Sequence, residues 1–210
     1  PPHVYRDVAY TQEIGQILDE SFEARAVALD ADDVPHLATD QGVKKYTGDE
    51  WVAVDSPLTG AVHDLTFGAS GVLAVVGPQG VAVGDSTPTL PDGAEPSFIT
   101  PRSSGGFWVG GDSFAGNLDP GFTSLYEDIG EAVHDMCDVG GDWYAATSSG
   151  VYSAEGVATT ADGLPSDEVR ALAVAPDGTL WAGTDSGLAR RDAGSGNWIA
   201  FGGEDGLHYG

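Results

Sequence analysis

Three features of the 210-residue sequence predict an all-β fold, a β-propeller of four-stranded antiparallel blades. The first is a recurring phrase. "GTLWAGTDSGLARRD" at 178–192 returns as "DWYAATSSGVYS" at 142–153 and "PHLATDQGVKKY" at 35–46. Looser copies are "LAVVGPQGVAV" at 73–83 and "FWVGGDSFAGN" at 107–117. Their corner residues, Thr39, Gly77, Gly111, Thr147 and Thr184, stand 34 to 38 residues apart, a period typical of propeller or solenoid units. The second is period-two apolar alternation with no helical stretch between the runs. The third is turn chemistry, supplied by 31 glycines and 12 prolines.

Each unit is built from the same parts in the same order. An alternating run opens it: "ARAVAL", "AVHDLTF", "SFIT", "AVHDMCDV" and "EVRALAV" in the five copies. A turn such as "ASG" at 69–71 or "PDG" at 176–178 follows, favouring a hairpin into the corner strand. Beyond the corner come "GVKKY", "GVAV", "GVYS" and "GLARR", then a last strand such as "EWVAV" or "NWIAF". Five repeats of about 36 residues result, at roughly 21–58, 59–93, 94–130, 131–165 and 166–207 of a single domain spanning 1–210. Radial stacking of such sheets buries both faces, whereas a β-helix needs shorter rungs and a sandwich does not repeat its sequence. Ala38, Gly110, Ala146 and Gly183 suit close sheet packing. Trp108, Tyr144 and Trp181 form an aromatic column expected to fill the gaps between blades.

The ends carry part of a further unit. "VYRDVAYTQEIGQILDESF" reads as the later half of a repeat, with Val4–Arg6 echoing "GLARR" and "GQIL" echoing "NWIAF"; residues 1–20 are therefore expected to form a partial blade. "EDGLHYG" at the other end repeats the "ADGLPSD" linker. The expectation is a fragment of a larger propeller, or another chain that completes the open blade, rather than a five-bladed ring with an extra ribbon, because open edges invite association.

"DGLPSDEVRALAVAPDGTLWAGTDSGLARRD" at 162–192 resembles the two-component-regulator propeller repeat, whose units run from a Gly-Leu-Pro linker through a Val-rich strand and an Asp-Gly turn to "LWxGTxxGL". The likeness is strong in the fifth unit, clear in the first and fourth, and loose in the second and third. It implies a sensor or binding propeller, often periplasmic or extracellular, with no enzyme activity and no fixed catalytic residues. The chain departs from that family's usual context in showing no kinase, helical linker or membrane span.

A formal charge of −25 spread along the chain disfavours nucleic acid and anionic membrane surfaces as partners, since only 8 Lys and Arg are present to displace counterions. An apolar content of 41% argues against disorder. Cys137, the single cysteine, excludes an internal disulfide framework and reads as a buried, inert thiol. "VLAVV", the longest apolar run, is too short to insert in a bilayer. The Pro-Pro start without a signal peptide reads as a processed chain.

One column suggests a site. About fourteen residues before each corner stand Arg25, His63, Ser97, His134 and Arg170. Inner strands of a propeller begin near one mouth of the central channel. Arg25, His63, His134 and Arg170 would therefore ring that mouth as a local positive patch, able to attract a carboxylate, a phosphate or an acidic side chain. The competing reading pairs each with a neighbouring acid such as Asp64, Asp135 or Glu168. The duplicated "AVHD" suggests a His–Asp dyad, but adjacent strand residues point to opposite faces. "DADD" at 30–33 offers oxygens for calcium without the Gly and distal Glu of a complete loop, and reads as a solvated turn. Trp51 and Trp198 read as packing, with a sugar or partner as the alternative. No catalytic residue, metal or cofactor is expected.

The function these readings favour is a non-catalytic binding or protein-interaction propeller, a sensor or scaffold in an extracellular, cell-surface or periplasmic assembly. Its partner would be a protein or a small anionic ligand. The alternative is a propeller lyase using channel-mouth histidines as in the streptogramin lyases.

Overall fold

Residues 22–192 and 194–201 are described by a computed structural model. They form five antiparallel meanders. Blade I holds β1 (Ala24–Leu29), β2 (Pro35–Thr39), β3 (Gly42–Tyr46) and β4 (Trp51–Val54). Blade II holds β5 (Asp64–Phe67), β6 (Leu73–Gly77) and β7 (Gly80–Val83). Blade III holds β8 (Phe98–Pro101), β9 (Phe107–Gly111), β10 (Phe114–Leu118) and β11 (Phe122–Ser124), with a one-turn helix α1 (Tyr126–Ile129) after it. Blade IV holds β12 (Val133–Val139), β13 (Asp142–Thr147), β14 (Gly150–Ser153) and β15 (Gly156–Ala158). Blade V holds β16 (Val169–Val174), β17 (Leu180–Thr184), β18 (Gly187–Arg191) and β19 (Trp198–Phe201). The expected partial blade at 1–20 and the closing linker at 202–210 lie outside the described residues.

The repeated corner has a local cause. In "TDQG", "TSSG" and "TDSG" the threonine hydroxyl serves two backbone groups. Thr39 Oγ1 accepts from the Gln41 N–H at 3.1 Å and donates to the Gly42 carbonyl at 2.7 Å. Thr147 does the same with Ser149 and Gly150, and Thr184 with Ser186 and Gly187. Such side-chain turns spare the chain a longer loop and fix the hairpin register.

Blade II departs from the four-strand expectation. After β7 only the isolated bridge between Val83 and Ser86 remains where a fourth strand would start. The following "STPTLPDG" carries Pro88 and Pro91, which lack the N–H a ladder requires.

The core consists of layers between successive blades. Val62, Leu65, Val75 and Ala82 join I to II; Ile99, Phe107, Val109 and Phe114 join II to III. Phe98, Trp108, Met136 and Ala145 join III to IV, and Cys137, Tyr144, Ala146, Leu172 and Trp198 join IV to V. Met136 and Ile99 are fully enclosed, so truncating either to Ala would cost about 2–5 kcal/mol. The aromatic column follows this logic: Trp108 and Tyr144 are buried between blades, whereas Trp181 is half-buried and tilts against Phe201 at 5.4 Å. Trp181 belongs to the outward face of blade V, where Leu188 and Ile199 stay 38% and 40% exposed. Among the described residues no apolar layer joins blade V to blade I.

Candidate ligand-binding rim

The five column residues share one place in the register. Each stands immediately before a paired inner-strand residue. The pairs are Ala26 with Ala38, Asp64 with Val76, Phe98 with Gly110, Asp135 with Ala146, and Ala171 with Gly183. In blades I, IV and V the register shifts at this point, which places Arg25, His134 and Arg170 at bulges. A bulge re-aims its side chain away from the regular pleat. Arg25, His63, Ser97, His134 and Arg170 therefore occupy the same end of five successive inner strands.

Their partners differ. Arg170 is held by two carboxylates: its Nε donates to Asp185 Oδ1 at 2.9 Å, and its Nη1 lies 3.2 Å from Glu168. Arg25 lies 3.8 Å from Glu23. The histidines engage backbone instead. His63 Nδ1 bonds the Pro96 carbonyl at 3.3 Å and His134 Nδ1 bonds the Val169 carbonyl at 2.8 Å, each in the following blade. A carbonyl only accepts, so Nδ1 carries the hydrogen and Nε2 is the ring's remaining polar atom. Asp185 links two column members. Its carboxyl is held below the usual carboxylate range first by the Arg170 hydrogen bond and, to a smaller degree, by the charge of His134.

The two Asp residues of "AVHD" do not pair with their neighbouring His. Asp64 accepts from the Leu65 N–H at 2.8 Å and from the Ile99 N–H of blade III at 2.9 Å. Asp135 accepts from the Met136 N–H at 2.8 Å, the Thr100 hydroxyl at 3.2 Å and the Leu172 N–H of blade V at 2.9 Å. Each His–Asp pair thus straps its blade to the next: the imidazole takes a carbonyl, and the carboxylate takes the N–H three residues further on. Burial pushes both carboxyls up, while the donated N–H groups pull them down. Strand alternation already argued against a His–Asp dyad in "AVHD" and for partners on other strands; the partners prove to be backbone groups of the next blade.

The remaining candidates resolve locally. Cys137 is buried between blades IV and V, and burial pushes its thiol up to about 12, the profile of an unreactive thiol. In "DADD", Asp30 Oδ1 accepts from the N–H groups of Asp32 and Val34 at 2.9 and 3.0 Å, so this carboxylate closes its own turn. No cluster of three or more His, Cys, Asp or Glu able to hold a metal occurs among the described residues. Trp198 is buried against blade IV, and Trp51 is half-buried on blade I. One polar contact was not anticipated: Arg191 of blade V lies over the Tyr144 ring and donates to its hydroxyl at 2.9 Å, beside Glu155.

Comparison with known proteins supports the repeat and the fold. Residues 163–186 match the family described as "Two component regulator propeller". No curated protein matches the chain significantly. Among solved structures, the extracellular domain of the hybrid two component system BT3049 from B. thetaiotaomicron superposes with TM-score 0.67 at 18% identity, covering 89% of this chain and 30% of that one. Virginiamycin B lyase from Staphylococcus aureus superposes with TM-score 0.67 at 13% identity, covering 84% and 68%. The WD40 β-propeller domain of Doa1 gives 0.65 at 17%, covering 87% and 69%. The chain covers 30% of the BT3049 extracellular domain and 38% of the extracellular domain of the one component system BT4673 from B. thetaiotaomicron, about a third of the length of each. At these identities the likeness establishes the propeller fold. No helix among the described residues is long and apolar enough to cross a membrane.

Proposed function

We propose that this chain is a non-catalytic sensor or protein-interaction propeller of an extracellular, cell-surface or periplasmic assembly, and that its recognition surface is the rim bearing Arg25, His63, His134 and Arg170. The observation that carries the reading is the shared register of these residues at one end of four of the five inner strands, three of them at bulges. The repeat matched at 163–186 and the extracellular domains of one and two component systems among the structural neighbours support a sensor role and a location outside the cytoplasm. Because Glu168 and Asp185 already engage three of the five Arg170 N–H groups, a bound anion must take the two that remain or displace a carboxylate from the guanidinium. That requirement favours ligands with bidentate geometry, such as a carboxylate or phosphate, or an acidic protein side chain.

The lyase reading needs a histidine placed as general base beside a carboxylate. No observed contact favours it, since the Nδ1 atoms of His63 and His134 go to backbone carbonyls. The test is a thermal-shift and calorimetric screen of carboxylates, sugar acids, phosphates and acidic peptides against the wild type and a His134→Ala/Arg170→Ala variant. A ligand at 100 times its Kd should stabilise the wild type by about 2.7 kcal/mol and the variant far less. Equal binding to both proteins overturns the rim as the recognition surface.

A further inference from the structure

Blades IV and V enclose a second polar cleft, at the end of the sheets opposite the rim. Arg170 precedes the Ala171–Gly183 pair, whereas Arg190 pairs with Trp181, towards the other end of β17, and Arg191 lies one residue beyond. Arg191 closes β18 opposite Trp198 of β19, a residue buried against blade IV. Its guanidinium crosses the blade boundary, lies over the Tyr144 ring at 5.3 Å and donates from Nη1 to the Tyr144 hydroxyl at 2.9 Å. Two carboxylates border the same space: Glu155, in the turn between β14 and β15, and Asp162, in the single 3-10 turn that follows β15. The cleft between these groups measures about 140 Å³.

Local structure fixes these groups and leaves much of their hydrogen-bonding capacity open. Ser153 Oγ accepts from the Glu155 N–H at 3.2 Å and donates to the Gly156 carbonyl at 3.3 Å, a side-chain turn like those of the corners. The exposed Glu155 carboxylate stands 3.8 Å from Arg191 Nη2, beyond hydrogen-bond reach. Asp162 Oδ2 accepts from the Thr159 N–H at 2.9 Å, and Oδ1 takes no donor among the described residues. Arg191 commits one of its five N–H groups to a hydrogen bond among those residues. The Tyr144 hydroxyl accepts that N–H, so its own hydrogen is left to donate. Burial holds the phenol above its usual range against the pull of Arg191, which keeps this hydrogen in place at neutral pH.

The charges select the ligand class. The lining carries one cation, Arg191, and two carboxylates, Glu155 and Asp162. A simple anion meets a net negative wall there, and a simple cation meets the guanidinium. A molecule with one carboxylate and one ammonium satisfies both sides. We propose that this cleft binds a free amino acid, with its carboxylate on Arg191 and the Tyr144 hydroxyl and its ammonium towards Glu155 and Asp162. A space of about 140 Å³ suits a molecule of that size, being the liquid share of four or five waters at about 30 Å³ each. Charge-assisted hydrogen bonds from the guanidinium fork fix the orientation.

The test is titration calorimetry of the full chain with a panel of free L-amino acids, then with the N-acetyl derivative and the carboxamide of the tightest binder. At least one amino acid should bind with a Kd of about 1 mM or below, and each derivative about tenfold or more weaker, since each deletes one charge. Arg191→Met keeps an apolar stem over Tyr144 without the fork and should weaken binding at least about tenfold. Glu155→Gln, on an exposed turn where folding is not at stake, should weaken it in the same direction. The rim variant His134→Ala/Arg170→Ala should bind the amino acid as the wild type does, so the cleft and the rim stand or fall separately. Absence of binding at about 10 mM overturns the proposal. So does a derivative that binds as tightly as its parent, or binding unchanged by both Arg191→Met and Glu155→Gln. Loss of binding in the rim variant overturns it as well, because the amino acid would then sit at the other end of the blades.

Discussion

Asp135 of blade IV accepts the backbone N–H of Leu172 in blade V at 2.9 Å, and Asp64 of blade II accepts that of Ile99 in blade III at the same distance. Neighbouring inner strands in a propeller share no ladder, so these carboxylates, with the imidazoles of His63 and His134 beside them, tie blades together across the apolar layers. Asp135→Ala would leave the Leu172 and Met136 N–H groups and the Thr100 hydroxyl without this acceptor. Buried unpaired donors cost about 1–3 kcal/mol each, so the variant is expected to lose about 3 kcal/mol or more in urea unfolding. A loss under about 1 kcal/mol would show that water replaces the carboxylate and that the strap is dispensable.

The same two residues set a pH response with a definite sign. Burial raises both carboxyls above 3.8, so between 3.8 and the raised values the native state holds protons that the unfolded chain has lost. Stability from these groups therefore falls as pH rises through that window. Asp30, Asp177, Asp185 and Asp192 act oppositely, being held below 3.8; their contribution is present above 3.8 and is lost as pH falls beneath it. Unfolding free energy should thus climb to a mildly acidic maximum and then decline. Asp135→Asn should flatten the declining limb. A wild-type minus variant difference that stays constant from about pH 4 to 7 would contradict this account.

The histidine–aspartate straps mark the boundary of what the sequence discloses. The inner strands, the tight corners and the burial of Trp108 and Tyr144 were all legible, because period two and turn chemistry are local. The corner threonine hydroxyls bond to groups two and three residues away. The role of Asp64 was not legible, since its partner Ile99 lies 35 residues along and is reached only through blade stacking. Asp185 escaped notice for a related reason: it meets Arg170 only once β16 and β17 are in register. The missing fourth strand of blade II did have a signal, in Pro88 and Pro91, but the repeat pattern outweighed it.

A charge of −25 with only 8 Lys and Arg predicts a cost from self-repulsion in the folded chain. Repulsion between exposed carboxylates acts over about 10 Å at 0.1 M salt and over about 3 Å at 1 M. The calorimetric Tm should therefore rise by several degrees as sodium chloride increases across that range. A flat or falling Tm would mean that local ion pairs such as Arg170 with Asp185 already offset the excess charge.

Gly80 and Gly150 open the third strands of blades II and IV, opposite Gly77 and Thr147, with φ of 116° and 133°. Alanine at either place puts a Cβ on a left-handed backbone, a strain of about 1–2 kcal/mol. Their surroundings differ because blade II lacks a fourth strand. A Cβ at Gly80 meets nothing within 4 Å, whereas one at Gly150 falls 2.2 Å from the Ala158 carbonyl oxygen of β15. Gly80→Ala should therefore cost only the backbone strain. Gly150→Ala must also push β15 away, and is expected to cost at least twice as much in urea unfolding. Faster hydrogen exchange confined to Gly156–Ala158 would locate the damage. Equal losses from the two substitutions would show that β15 yields freely, and that the fourth strand of blade IV is held by its linker rather than by its ladder with β14.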